Sequence, residues 1–216
     1  MILKELQKKY NQKDADLDLL REAAQLVEEP FLIQGKFSET FRELPEEVLA
    51  TCMKKYQKIF ACRDVRGKLT NRFVAVLNGK RKGPGRIQRD YENVLVSRLR
   101  DAQYFYEEDT KEPLEKKVPR LKEIVFLGRL GTMAERIDRL RALARELSVL
   151  MRGFDFQERL DEEVLERAAL LSKADLVTRM VYEFPELQGI IGQEYALDAK
   201  EPPDVAKVIG EQYLPK

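Results

Sequence analysis

The sequence predicts an α+β chain that is mainly helical, with a small α/β unit over residues 1–86 and a helical domain over 87–216. Three observations carry that division. Short β-rich runs, FLIQGKF (31–37), KIFAC (58–62) and RFVAVLNG (72–79), are confined to the first part of the chain. The stretch GKRKGPGR (79–86) then puts three glycines and one proline into eight residues, the clearest break in the sequence. Beyond it the strand signals stop, and apolar residues recur at three-and-four spacing. Charged residues are 36% and hydrophobic ones 44% of 216 residues, an ordinary helix-leaning composition with length enough for a core.

Residues 1–28 read as helix, with Ile2, Leu3 and Leu6 followed by Leu17, Leu19, Leu20, Ala23, Ala24 and Val27. A weak point falls at 11–16, where Asp14 or Asp16 is suited to cap a second helical piece. LPEEVLATCMKKY (44–56) is a helix with Pro45 at its first position and Glu46 and Glu47 in the first turn, which suits the helix dipole. RDVRGKLTN separates the second and third strand runs, with Gly67 serving a hairpin-like turn. A long helix follows over 87–112, striped by Tyr91, Val94, Leu95, Leu99, Ala102, Phe105 and Tyr106 and stopped at Pro113. Thr132 and Glu135 have capping-box spacing at the head of a helix over 133–151, and Gly153 ends it. From Leu165 to Val181 one apolar stripe marks a helix or a closely broken pair. Phe184-Pro185 stops it, because the residue before proline leaves the α region, and Pro185 suits the first turn of the next segment. Gly189 and Gly192 offer no side chain on that segment, so something can approach closely. A last short helix begins near Pro203 or Asp204.

The chain holds no histidine, which removes Ser-His-Asp and Cys-His nucleophiles and imidazole metal sites. Its two cysteines, Cys52 and Cys62, supply neither a zinc pattern nor a disulfide framework. No apolar run nears the roughly 18 residues of a membrane span, and MILKELQKKY lacks the apolar region of a secretory signal. A cytoplasmic protein is expected.

Net charge is +1 overall, yet residues 63–89 hold nine cations against the single acid Asp64. These are Arg63, Arg66, Lys68, Arg72, Lys80, Arg81, Lys82, Arg86 and Arg89. Such asymmetry suits a polyanion, and phosphate contacts need no strict geometry from lysine. A solvated loop kept polar accounts for the same residues. The run Tyr104-Phe105-Tyr106-Glu107-Glu108-Asp109 suggests a magnesium site only superficially, since consecutive helical positions point in different directions. A solvated helix end with its aromatics in the core is the favoured reading. Tyr182, Glu183, Gln188 and Gln193 form a polar set with no mechanism attached.

RAALLSKADLVTRMVYEFPELQGIIGQEYA (167–196), ENVLVSRLRDAQYFYEEDTKEPLE (92–115) and RLKEIVFLGRLGTMAERIDRLRALA (120–144) resemble the β subunit of bacterial two-subunit glycyl-tRNA synthetases. LPEEVLATCMKKYQKIF (44–60) and VAKVIGEQYLP (205–215) follow in the family's order, so the likeness covers nearly the whole chain. It implies an internal fragment, without the family's N-terminal portion or its C-terminal anticodon-binding region. The α/β unit is then partial, the end of a module related to the tRNA-editing region of the phenylalanyl enzyme's β subunit. The helical domain is then HD-like. Where HD phosphohydrolases hold metal through a His-Asp pair, this chain reads Lys173-Ala174-Asp175, which leaves Asp175 a helix-terminal or salt-bridging residue and no metal site. In the family the α subunit holds the aminoacylation site with glycine, ATP and Mg2+, while the β subunit supplies tRNA recognition and heterotetramer assembly. The implied partners are tRNA(Gly) and that α subunit, the nine cations above being the candidate RNA-binding residues. Catalytic residues and cofactors are expected to be absent from the fragment itself. A structural module without RNA contact and an HD-type phosphohydrolase are the alternatives.

Overall fold

Alternation of apolar residues in three short runs builds one antiparallel sheet of order β1-β3-β2, from β1 (Pro30–Lys36), β2 (Phe60–Arg63) and β3 (Leu69–Asn78). The computed structural model describes residues 2, 4, 6, 16–79, 83–151 and 161–215. They belong to two compact units, Met1–Tyr104 and Phe105–Lys216.

In the first unit, α1 (Leu17–Leu26) starts at Asp16, whose carboxylate accepts the N–H groups of Asp18 and Leu19 at 3.1 and 2.9 Å. Leu19 and Ala23 of α1 pack with Ile2, Leu6, Leu32, Phe60, Cys62 and Val74 in one buried cluster on the sheet. On β1, Gly35 pairs with Phe73 of β3. A Cβ added to Gly35 would lie 2.2 Å from Phe73 Cζ, so the ring occupies the space a side chain would need. The turn between β2 and β3 has Gly67 at φ 81°, a backbone that favours glycine, as the sequence requires. Asn78 closes the other end of β3 by accepting the N–H groups of Glu28 and Glu29, both at 3.1 Å. The helix expected over 44–56 is shorter: α2 (Glu46–Thr51) follows Pro45 at its N-cap, and a wider π-type turn continues it over Cys52–Tyr56.

The long helix α3 runs Pro84–Thr110, so it begins within the glycine-rich stretch that the sequence reading took as the break. In the first unit Glu92 Oε1 of α3 accepts the N–H of Lys36 at 3.0 Å, and Gln57 Nε2 donates to the carbonyl of Tyr91 at 3.2 Å. Leu95, Leu99 and Ala102 of the expected stripe are buried, whereas Val94 is exposed.

The second unit corrects one expectation. It is not wholly helical: β4 (Val125–Leu127) and β5 (Gly131–Thr132) pair as a small antiparallel hairpin. Val125, Phe126 and Leu127 favour extended backbone, and Gly131 at φ 78° serves the return. Before the hairpin come α4 (Leu114–Lys117) and a 3-10 turn over Val118–Glu123 that takes Pro119 in its first turn. After it comes α5 (Met133–Met151). The Thr132–Glu135 capping box forms as expected, Glu135 Oε2 accepting the Thr132 N–H at 2.6 Å and Thr132 Oγ1 accepting the Glu135 N–H at 3.3 Å. Gly153, expected to end that helix, lies outside the described residues.

The stripe over 165–195 is broken more often than a helix pair. It forms α6 (Glu162–Leu171), a 3-10 turn over Ala174–Val177, α7 (Arg179–Glu183), a 3-10 turn over Pro185–Leu187 and α8 (Ile190–Asp198). Each break has a local cause. Asp161 caps α6 and Thr178 Oγ1 caps α7; Pro185 opens its turn, and Gly189 at φ 78° precedes α8. The last helix, α9 (Pro203–Glu211), packs on α6 and α8, and α5 packs on α6. Arg167 links Glu115 at 2.8 Å and Glu201 at 2.6 Å, and Glu166 holds both Arg141 and Arg145.

Gly35→Ala must displace the Phe73 ring and should lower stability by about 1–3 kcal/mol, the range of overpacked cores. Gly85→Ala, where a Cβ meets nothing within 4 Å at the start of α3, should be neutral or stabilising by about 0.5–1 kcal/mol. Thermal melts of the two variants against the parent chain separate these outcomes.

Candidate nucleic-acid interface

The candidate RNA-binding residues divide along the sheet. Arg63, Arg66 and Lys68 flank the β2–β3 turn, and Arg72 lies on β3 opposite Lys36 of β1. Asp64 shapes the turn by accepting the N–H groups of Arg66 at 2.8 Å and Lys68 at 3.0 Å, and those bonds hold its carboxyl below the usual range. Arg86 and Arg89 follow the far end of β3, in the first turns of α3. Ten residues of strand span about 30 Å, which separates the β2–β3 turn from the end of β3 that leads into α3. The Lys36–Glu92 bond brings α3 back beside the rung that carries Arg72, which draws Arg89 toward the sheet.

Arg63, Arg66, Lys68, Arg72, Arg86 and Arg89 are all exposed. Lys80, Arg81 and Lys82 lie outside the described residues. Arg63 differs from the rest, since its guanidinium binds Glu46 and donates to the carbonyl of Gly67 at 2.8 Å. It braces the hairpin turn, whereas Arg66, Lys68 and Arg72 present cations to solvent. Val65 projects from the same turn and is 89% exposed.

Two acids in the second unit sit differently from their sequence readings. Asp109, at the end of the acidic run, is buried rather than solvated. Its carboxylate accepts the N–H groups of Arg179 at 3.0 Å and Met180 at 2.9 Å, and the hydroxyl of Tyr195 at 3.0 Å. Burial, with Asp109 beside it, pushes the Tyr195 phenol upward. Tyr106 stacks on Tyr195 with ring centres 5.3 Å apart and donates to Asp198 at 2.6 Å. Glu107 is exposed, so the run divides between core and surface.

Asp175 is fully buried, and its bonded partner is a backbone N–H rather than a cation. Oδ2 accepts from Gly189 at 2.6 Å, while Oδ1 has no hydrogen-bond partner among the described residues. This replaces the salt-bridging reading. A Cβ on Gly192 would fall 3.0 Å from Ile209 Cγ2 and 3.1 Å from Asp175 Oδ2, and one on Gly189 would fall 2.9 Å from the Tyr213 ring, so the close approach these glycines permit is made by α9, Tyr213 and this carboxyl. Burial pushes Asp175 up to about 6 and Lys173 down to about 8, the latter ammonium lying 3.8 Å from the centre of the Tyr213 ring. Gln188 accepts from the Tyr213 hydroxyl at 3.3 Å, and Tyr182 is exposed, so the polar set around them does not converge. Among the described residues no group of three or more His, Cys, Asp or Glu side chains is arranged to hold a metal. No helix among them is long and apolar enough to cross a membrane.

The chain is mainly helical α+β, with exposed cations around the β2–β3 turn and in the first turns of α3 and with Asp109 and Asp175 buried as acceptors of backbone N–H groups. Comparison with known proteins gives the family. The sequence profile described as "Glycyl-tRNA synthetase beta subunit" covers residues 1–216, and the chain belongs to that family. A glycine–tRNA ligase beta subunit from Desulforudis audaxviator is 50% identical over 200 residues, covering 93% of this chain and 28% of the relative. The Coxiella burnetii (strain Dugway 5J108-111) counterpart is 43% identical over 201 residues, with 93% and 28% covered. That of Dictyoglomus thermophilum is 41% identical over 219 residues, with 100% and 31% covered. The chain therefore spans under a third of the length of these relatives.

Both acids give measurable consequences. From pH 3.8 to about 6 the folded chain keeps a proton on Asp175 that the unfolded chain has lost, so this group's contribution falls as pH rises through that window. Asp175→Asn should flatten the dependence and gain up to about 3 kcal/mol at neutral pH, read from melts between pH 4 and 7. Asp109→Asn keeps one accepting oxygen but sets amide hydrogens against the Arg179 N–H or against the Met180 N–H and Tyr195 hydroxyl, and should cost about 2–4 kcal/mol in the same melts.

Proposed function

We propose that this chain supplies tRNA binding and subunit assembly to a glycine–tRNA ligase, working beside a separate α subunit in the cytoplasm. The observation that carries the reading is the family match from the first residue to the last. In this reading glycine, ATP and Mg2+ are handled by the α subunit, which forms a heterotetramer with the β subunit and charges tRNA(Gly). This piece adds no catalytic group of its own. Its part is electrostatic: the exposed cations at the β2–β3 turn and at the start of α3, with Lys80, Arg81 and Lys82 between, attract the phosphate backbone. Each neutralised phosphate releases counterions, so affinity falls with salt. The arrangement supports affinity without sequence readout, because contacts to phosphate carry no base information.

A second reading, assembly without RNA contact, is favoured by Leu143, Leu147 and Leu150, which are exposed on α5. The two readings separate in one experiment. Binding of tRNA(Gly) is measured between about 50 and 200 mM salt for the parent chain, for R66A/K68A/R72A and for R86A/R89A. Each phosphate contact removed should flatten the log-log salt slope by about 0.7–0.9. Parent and variants binding equally weakly would leave the cations as solvated surface and assembly as the chain's work.

A further inference from the structure

We infer that a hollow beside the β2–β3 turn takes one unpaired base of the bound RNA, a base that carries an exocyclic amine. The inference rests on the reading of the chain as a tRNA-binding component. It gives that contact a base readout, which cations facing phosphate do not supply.

The hollow measures about 250 Å3 and is built by three local elements of the first unit. Arg42 comes from a 3-10 turn over Glu39–Glu43, and Leu44 caps that turn. Glu46 and Leu49 stand three apart on α2 and so share a face. Lys68 and Leu69 enter from the turn and the head of β3. Leu44, Leu49 and Leu69 are buried and make the floor, while Arg42 and Lys68 are exposed at the rim. The Arg42 guanidinium donates to Glu39 at 2.9 Å, which holds it there. Glu46 Oε1 accepts the Leu69 N–H at 3.1 Å and binds Arg63, which fixes the carboxylate between α2 and β3. Its other oxygen, Oε2, has no hydrogen-bond partner among the described residues. The turn is held as firmly, since the Gly67 N–H donates to the Asp64 carbonyl at 3.0 Å and the Asp64 N–H to the Lys68 carbonyl at 2.8 Å.

The order of charge selects the occupant. One carboxylate lines the hollow and the cations stand at its mouth. A nucleotide is built to match, with amine donors on the base and the anion outside. Glutamate accepting from a cytosine amine is a recurring pairing, and lysine takes a phosphate without strict geometry. An acidic peptide would instead set its carboxylates against Glu46. The volume is below the roughly 300 Å3 at which pockets for drug-sized ligands begin, so the base enters and the sugar and phosphate stay at the rim. A base stacked in a helix does not reach such a hollow, which directs the contact to an unpaired position. Arg66 and Arg72 are exposed outside the hollow, where a strand supplies further phosphates and a free nucleotide does not.

The test measures binding of short single-stranded oligomers of cytidine and of uridine to the full 216-residue chain by fluorescence anisotropy. These bases differ at the group that would face Glu46, an amine in one and a carbonyl in the other. Cytidine oligomers should bind about tenfold more tightly than uridine oligomers. Glu46→Gln, whose amide also donates, should bring the ratio to about one, with melting close to the parent's because an exposed ion pair contributes little. Should that variant melt early, oligomers of cytidine dimethylated on its amine test the parent chain directly and should bind as weakly as uridine. Lys68→Ala should flatten the salt slope for both oligomers and leave their ratio unchanged. Equal binding of cytidine and uridine oligomers, with the salt slope intact, overturns the inference while the tRNA-binding reading stands. Failure of the parent chain to bind any RNA overturns both. Cytidine monophosphate binding as tightly as the oligomer makes the hollow a free-nucleotide site and overturns the assignment to RNA.

Discussion

The second unit depends on one carboxylate. Asp109 ends the longest helix of the chain, and the bonds it accepts come from residues 70, 71 and 86 positions away. The first turn of α7 needs an acceptor for its orphan N–H groups, and α7 is too short to have been stable alone. Asp109 supplies that acceptor from another element and binds the Tyr195 hydroxyl of α8 with the same oxygen that takes the Met180 N–H. The interrupted stretch over 162–198 can therefore be short pieces and still be fixed. Its breaks at Thr178, Pro185 and Gly189 bend the backbone, and long-range bonds to Asp109 and Asp175 hold the bends in place.

The acids and the cations are spent on different work. Carboxylates in the second unit go inward or into ion pairs: Asp109 and Asp175 accept backbone N–H groups, and Glu166, Glu115 and Glu201 hold arginines. In the first unit, Arg66, Lys68 and Arg72 stay outward around a turn that Asp64 and Arg63 brace. In the first unit the turn therefore keeps three exposed cations beside one acid, Asp64, which is engaged with the turn's own backbone.

What was legible in the sequence follows how local each cause is. The three strands, the Gly67 turn, the Asp16 and Thr132 caps, the Pro185 turn and the long helix from the glycine-rich stretch all have determinants within a few residues. The hairpin over 125–132 escaped because three-residue strands show no alternation, although Val125-Phe126-Leu127 before Gly128 was the available signal. Asp109 was misread as solvated since its neighbours Glu107 and Glu108 suggested a polar helix end, and its partners are remote. Asp175 was legible in part: it does stand at the head of the Ala174–Val177 turn, but its bonded partner is the Gly189 N–H, fourteen positions on, while the Lys173 ammonium turns to the Tyr213 ring. The cations were legible as a list. Their placement was not, because the bond that turns α3 back along the sheet joins Lys36 and Glu92, 56 positions apart.

Asp175 and Lys173 also give the chain an unusual relation to acidity. With no histidine, nothing on the surface is of the ordinary kind that changes charge between pH 5 and 8. The two side chains moved toward that range, Asp175 at about 6 and Lys173 at about 8, are both sealed in the second unit. Protons thus act on the interior and mobile ions act on the exterior. By linkage their effects on stability fall in two windows, below about pH 6 for Asp175 and above about pH 8 for Lys173, so between these neither group makes the hold on the helical pieces depend on pH.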